Sequence, residues 1–286
     1  MDWPRGRVMA GAVILAAVLG AGAMVAAGHS SSDKPQRIRA QDWSTASHLA
    51  ARAVHKGWEP HRGPVPILMY HVVEAPRAGV PNPLLYVAGK TFAREMSWLD
   101  RHGFEGVTLD EVENAWAGRG LLPKRPIVVS FDDGYRSQET TAMPVLRRHH
   151  WPGVLSLTLG NMNDPGDPIT PNQVQKLVDA GWELASHTIS HVDLRTVSKR
   201  RLRHEVRDSR RIIRYVFRVP VDNFTYPAGL YNRRDVAAVK AAGYRGAMGV
   251  APGLAKRRAP YDLQRIRVIN SMGVRGLAAE LKSLGL

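Results

Sequence analysis

The chain has 286 residues, 44% of them apolar, enough for one large domain or two small ones and too many for a wholly disordered protein. It contains no cysteine, which excludes a disulfide scaffold, a thiolate metal site, a cysteine nucleophile and a lipidated cysteine. The formal charge of +15 comes mostly from arginine, and no RNA-binding signature or zinc-finger spacing accompanies it, so no nucleic-acid partner is expected.

In chain order, Arg5 and Arg7 precede an uncharged apolar stretch from Val8 to Ala27, and Val25-Ala26-Ala27 before Gly28 resembles a small-residue cleavage site. Residues 1–28 are therefore expected to be a signal peptide or an uncleaved apolar helix long enough to anchor in a bilayer. Either places the rest of the chain outside the cytoplasm, as a secreted, periplasmic or outward-facing anchored protein. Residues 29–62 read as a polar tether with a helix near 42–57 and surface histidines at His48, His55 and His61. The domain proper is expected over 63–286.

Within it, Val65 to Tyr70 suits a buried strand, and the Pro- and Gly-rich residues 74–89 suit a long loop. Thr91 is expected to cap a helix that buries Phe92, Met96 and Leu99. Pro126 to Phe131 reads as a strand ending in Asp132, Asp133 and Gly134. Further strands are expected at 154–159, 182–186, 223–226, 244–248 and 265–269, with helices near 138–149, 171–180, 198–217 and 232–242. In the helix near 198–217, Ser198 is the cap, Leu202, Val206, Ile213 and Val216 face inward, and the arginines cover a solvated face. Strands alternating with helices define an α/β fold with a largely parallel sheet, either an open wound sheet or a barrel. In both, ligands gather at the carboxyl ends of the strands, where Asp132, Asp133, His187 and His191 all fall.

Adjacent aspartates at a strand end point in different directions, so one can bind a metal while the other faces a reacting water. An Asp-Asp-Gly turn with no chemistry is the plain alternative. His187 and His191, four residues apart, share one face if they lie on a helical turn, as two metal ligands require. One aspartate with two histidines makes a mixed oxygen and nitrogen site for a divalent metal: zinc suits it, and cobalt, nickel or iron would also fit. His149 and His150 have the wrong spacing for ligands. Tyr135 and Tyr226 suit either packing against sugar rings or packing in the core, and Trp98 and Trp182 suit the core.

At this point the sequence resembles the polysaccharide deacetylase family, the NodB-homology domain of carbohydrate esterase family 4. SFDDGY at 130–135 matches its first motif, SHTISH at 186–191 its second and FTYPAG at 224–229 its third. The resemblance implies a distorted (β/α) barrel of mainly parallel strands and a metal held by Asp133, His187 and His191. It implies Asp132 as the base that activates the metal's water, and the backbone N–H of Ala228 as an oxyanion donor. The products would be acetate and a free amine on an N-acetylated polysaccharide, with membrane contact only through the apolar segment. Two positions depart from the family pattern. Thr225 stands where many members carry an arginine that orients the catalytic aspartate, and residues 265–271 lack the usual acid histidine. Leu68-Met69-Tyr70-His71 stands upstream instead, an order resembling the permuted branch that deacetylates poly-β-1,6-N-acetylglucosamine, and this implies His71 as the acid. A catalytically silent glycan-binding module of the same fold and a basic surface protein are the rival readings.

Overall fold

The computed structural model describes residues 57–286 apart from 81 and 164–166. The apolar amino-terminal segment, nearly all of the tether and the helix expected near 42–57 lie outside the described residues. Eight strands follow in chain order: β1 (Ile67–Tyr70), β2 (Glu105–Gly106), β3 (Pro126–Asp133), β4 (Val154–Leu157), β5 (Glu183–Ser186), β6 (Asn223–Thr225), β7 (Gly246–Pro252) and β8 (Leu263–Arg267). Every pairing is parallel, in the order β1-β8-β7-β6-β5-β4-β3-β2, and an added β1–β3 pairing closes seven strands into a barrel. The short β2 stays outside the ring, paired with the first residues of β3. The barrel alternative is thus the one the chain adopts.

Strand alternation divides the core into two layers. Leu68, Tyr70, Ile127, Val129, Phe131, Leu155, Leu157, Leu184 and Phe224 face the surrounding helices. Ile67, Val128, Val154, Ala185, Met248 and Leu263 belong to the second cluster, inside the barrel. Continuing the same period along each strand, Ser130, Asp132, Ser156, Thr225 and Arg265 also fall on the inner side, all of them buried. The barrel interior is therefore apolar in its middle and polar at both ends, with Glu183 and Asn223 at the amino ends of β5 and β6.

The outer layer holds α1 (Gly89–Arg101), α2 (Leu109–Trp116), α3 (Met143–Arg148), α4 (Pro171–Asp179), α5 (Lys199–Arg203), α6 (Ser209–Phe217), α7 (Arg233–Ala241) and α8 (Gly273–Ser283). Two π-turns, Gln138–Ala142 before α3 and His204–Asp208 between α5 and α6, interrupt otherwise regular helices. Ser198 caps α5, its Oγ accepting from the Arg201 N–H at 3.2 Å. Thr91 is not a cap: α1 begins at Gly89, and Thr91 sits inside its first turn. Val216 is exposed, because the π-turn shifts the helical phase and Phe217 takes the buried position. β2, α2 and α8 were not expected from periodicity. For α2 a local signal exists, since Thr108 and Glu111 form a reciprocal capping box. Among the described residues no helix is long and apolar enough to cross a membrane.

Candidate active site

Asp132 and Asp133 are the last two residues of β3. Alternation turns Phe131 outward, where it stacks on Trp182 at 4.9 Å, and Asp132 inward. Asp133 takes a left-handed conformation, φ 75°, and Gly134 follows at φ 91°. A Cβ on Gly134 would meet Leu157 Cδ1 at 2.9 Å and Ile169 Cγ2 at 3.1 Å, so both the dihedral and the space call for glycine. The sharp turn sets Asp133 Oδ1 3.5 Å from His187 Nε2 and 3.5 Å from His191 Nε2.

The histidines follow β5, but not on a helical turn as the spacing suggested. Thr188 and His191 both have positive φ, 72° and 52°, so the chain folds back in a loop. The Thr188 Oγ1 accepts from the His191 N–H at 2.9 Å, and the two imidazoles stand edge to face, 4.7 Å between centroids. The residues converge as expected, by a different backbone route.

This trio fits a divalent metal. One ligand atom from each of Asp133, His187 and His191 lies within 4.8 Å of the others. The 3.5 Å separations are too long for hydrogen bonds of good geometry, yet close to the roughly 3.4 Å between tetrahedral donors held 2.0–2.1 Å from one ion. His187 Nδ1 contacts the Thr225 carbonyl at 2.8 Å, and an N–H there fixes the tautomer whose Nε2 is free to ligate. Burial, reinforced by His191, pushes the His187 imidazole down to about 4, so it stays neutral near pH 7 despite the opposing pull of Asp132 and Asp133.

Asp132 is held differently. Arg265, from β8, donates Nη1 to Oδ1 and Nη2 to Oδ2, each at 2.8 Å, while its Nε donates to the Gly249 carbonyl at 2.7 Å. Burial alone would raise the Asp132 pKa; the Arg265 charge and its fork of hydrogen bonds, with His187 and His71, hold the carboxyl well below its ordinary value. The guanidinium missing at Thr225 is therefore supplied from another strand. Thr225 instead bonds Ser156 Oγ at 2.7 Å through its hydroxyl. Sequence reasoning missed Arg265, although an arginine two residues after Leu263 in a buried strand was the available signal.

His71 follows β1 at the same end of the barrel and is nearly buried, with Nδ1 lacking a hydrogen-bond partner among the described residues. Burial lowers its pKa, against the opposing pull of Asp133 and Asp132. Ala228 lies in the turn Pro227–Gly229, exposed and left-handed at φ 52°. Tyr135 is half-buried and its backbone bridges to Pro168. Tyr226 takes the core alternative: it is fully buried, its ring stacks on Tyr231 at 4.1 Å and its hydroxyl donates to the Tyr261 carbonyl at 3.2 Å, so it offers no face to a sugar.

The carboxyl end of a parallel barrel thus carries an Arg-held aspartate beside an Asp-His-His trio able to hold a metal. Comparison with known proteins narrows this. A sequence model described as "Polysaccharide deacetylase" matches residues 119–247, a span that includes Asp132, Asp133, His187 and His191 but neither His71 nor Arg265. YxkH of Bacillus subtilis, named for the polysaccharide deacetylases, is 27% identical over 221 residues, 77% of each chain. The poly-β-1,6-N-acetyl-D-glucosamine N-deacetylase of Escherichia coli K12 is 24% identical over 268 residues, 78% of this chain but 39% of its own length. Among solved structures, the Streptococcus pyogenes deacetylase PplD superposes with a TM-score of 0.71 at 22% identity, covering 77% of this chain and 99% of that one. IcaB from Ammonifex degensii superposes with a TM-score of 0.62 at 22% identity, over 77% and 97%. Residues 119–247 thus match the polysaccharide deacetylase family, and the relatives and solved structures named above align with 77–78% of the chain.

Proposed function

We propose that this enzyme removes N-acetyl groups from an N-acetylglucosamine polysaccharide of the poly-β-1,6-linked kind, using a divalent metal, zinc by preference, held by Asp133, His187 and His191. The observation that carries the reading is the pairing of that trio with an aspartate that Arg265 keeps ionised. When bound, the metal supplies Lewis-acid polarisation and a more acidic water. Asp132 accepts the proton of the attacking water as it adds to the acetamide carbonyl. Its fixed, bidentate hold means that it needs no reorganisation at that moment. The Ala228 N–H donates to the developing oxyanion. His71 donates a proton to the departing amine, and the depression of its pKa by burial makes the charged imidazole a stronger acid. The bond broken is the amide C–N bond, and the products are acetate and a glucosamine-type amine.

The choice of glycan rests on the upstream position of His71 and on the relatives named as poly-β-1,6-N-acetyl-D-glucosamine N-deacetylases. An extracytoplasmic setting, supported by the apolar segment from Val8 to Ala27, would bring the enzyme to such polymers. The test is acetate release from poly-β-1,6-N-acetylglucosamine, chitooligosaccharides, peptidoglycan and acetylated xylan. Release from the first, strongest of the four, is expected. Release from none would overturn the reading in favour of a silent glycan-binding module.

A further inference from the structure

Both π-turns stand directly behind the site. A π-turn is rare, and it widens a helix so that a side chain reaches a position the α-helical phase would deny it. In the first, Gln138 is fully buried, and its Nε2 donates to the His71 carbonyl at 2.9 Å and to the Asp132 carbonyl at 2.7 Å. One amide thus ties the residue after β1 to the end of β3. The neighbouring Ser137 Oγ accepts from the Val73 N–H at 3.0 Å and holds the same loop.

In the second π-turn, Glu205 is also fully buried. Its Oε2 accepts from the consecutive N–H groups of Ile189 and Ser190 at 2.9 and 3.0 Å, and its Oε1 accepts from the Ser190 hydroxyl at 2.6 Å. Arg201 closes the clamp, 2.7 Å from Glu205 Oε1 and 2.8 Å from Ser190 Oγ. These bonds hold the loop in which Thr188 and His191 take left-handed conformations that side chains seldom adopt unaided.

We propose that Gln138 and Glu205 are positioning residues with separate duties. Gln138 sets the spacing of His71 from Asp132, and Glu205 sets His191 against Asp133 and His187 for metal binding. The assignment rests on the proposed roles of those residues, and it goes further by dividing the site into two independently held halves. The partners of Gln138 are backbone atoms of the proton-transfer residues, and those of Glu205 are backbone and hydroxyl groups of the metal loop. Neither clamp touches the other's loop through any of these bonds.

The test uses the full chain and the variants Gln138→Met and Glu205→Gln, both close in volume to the original side chains. Three quantities are measured: Zn2+ affinity by competition with a chromophoric chelator, kcat for acetate release at saturating Zn2+, and imidazole resonances by NMR. For Gln138→Met, kcat should fall about 10- to 100-fold with Zn2+ affinity held within about threefold, and the His71 resonances should move. For Glu205→Gln, Zn2+ affinity should fall about 10- to 100-fold, kcat at saturating Zn2+ should fall less than about tenfold, and the His191 resonances should move. Both variants shifting affinity and rate alike would overturn the division, as would wild-type behaviour in either. A wild-type protein releasing no acetate would defeat the functional reading, while the affinity and NMR arms would still decide this one.

Discussion

The two ends of the barrel both bury carboxylates beside arginine, and they treat them in opposite ways. At the carboxyl end, one guanidinium forks one carboxylate: Arg265 gives two bonds of 2.8 Å to Asp132, whose pKa is held low. At the amino end, Arg245 faces Asp110, Glu113 and Asp222, at 2.5, 3.1 and 3.6 Å, Arg210 reaches only Asp222, at 2.9 Å, and Glu183 lies nearby through Asn223. Burial there outweighs the shared cation, and Glu113 is pushed up to about 8. Glu113 Oε1 and Asn223 Oδ1 crowd the same side of Gly246, where a Cβ would sit 2.3 and 2.7 Å from them. The ratio of carboxylates to guanidinium groups, not burial alone, decides which end keeps its charge for chemistry.

The sharpest way to break this contrast is at the carboxyl end. His187→Ala should abolish zinc binding measured by metal analysis, because one of three ligands and the bond to Thr225 disappear together. Arg265→Met should come next. It leaves Asp132 buried and unpaired, so about 3–5 kcal/mol of stability is expected to be lost in denaturant unfolding, together with nearly all acetate release. Arg265→Lys should recover only part of the activity, since an ammonium cannot make the two-pronged contact. For His71→Ala, a fall of about 10²- to 10⁴-fold in kcat with metal retained is expected; an unaffected rate would remove it from the mechanism.

Smaller effects belong to the amino end, and their sign follows from the raised pKa. Glu113 binds its proton more tightly folded than unfolded, so its contribution is fully present below pH 4.5 and is lost as pH rises through about 8. Glu113→Gln should therefore be more stable than wild type at pH 9 by up to a few kcal/mol, on a scale of about 1.4 kcal/mol per pKa unit. At pH 5 the two should melt within a few degrees of each other. Glu95, fully buried, accepting from Tyr70 Oη at 2.9 Å and raised to about 7, should give a smaller gain of the same sign on change to Gln. A Glu113 variant destabilised at pH 9 would show that its charge serves the fold after all.

What the sequence made legible follows from distance along the chain. Strands of the barrel were visible because their apolar runs are local, whereas β2 has two residues and no period to detect. Asp132 with Asp133, and His187 with His191, were readable as motifs because each pair is compact in sequence. Their loop geometry was not: a spacing of four suited a helical turn, but two left-handed residues build the site instead. Arg265 lies 133 residues from Asp132, and only closure of the barrel brings them together. Gln138 and Glu205 sit in stretches that look helical, and the extra residue of a π-turn leaves no simple mark in composition. Tyr226 could serve a sugar or the core on its chemistry alone, and packing against Tyr231 decides for the core.

Asp132 and its neighbour Asp133 are proposed for different duties, base and metal ligand. In one preparation of Asp132→Asn, bound zinc and acetate release from poly-β-1,6-N-acetylglucosamine are measured together against wild type. Metal retained at the wild-type level with turnover lost is the predicted result. Turnover near wild type would contradict the assignment of Asp132 as the base.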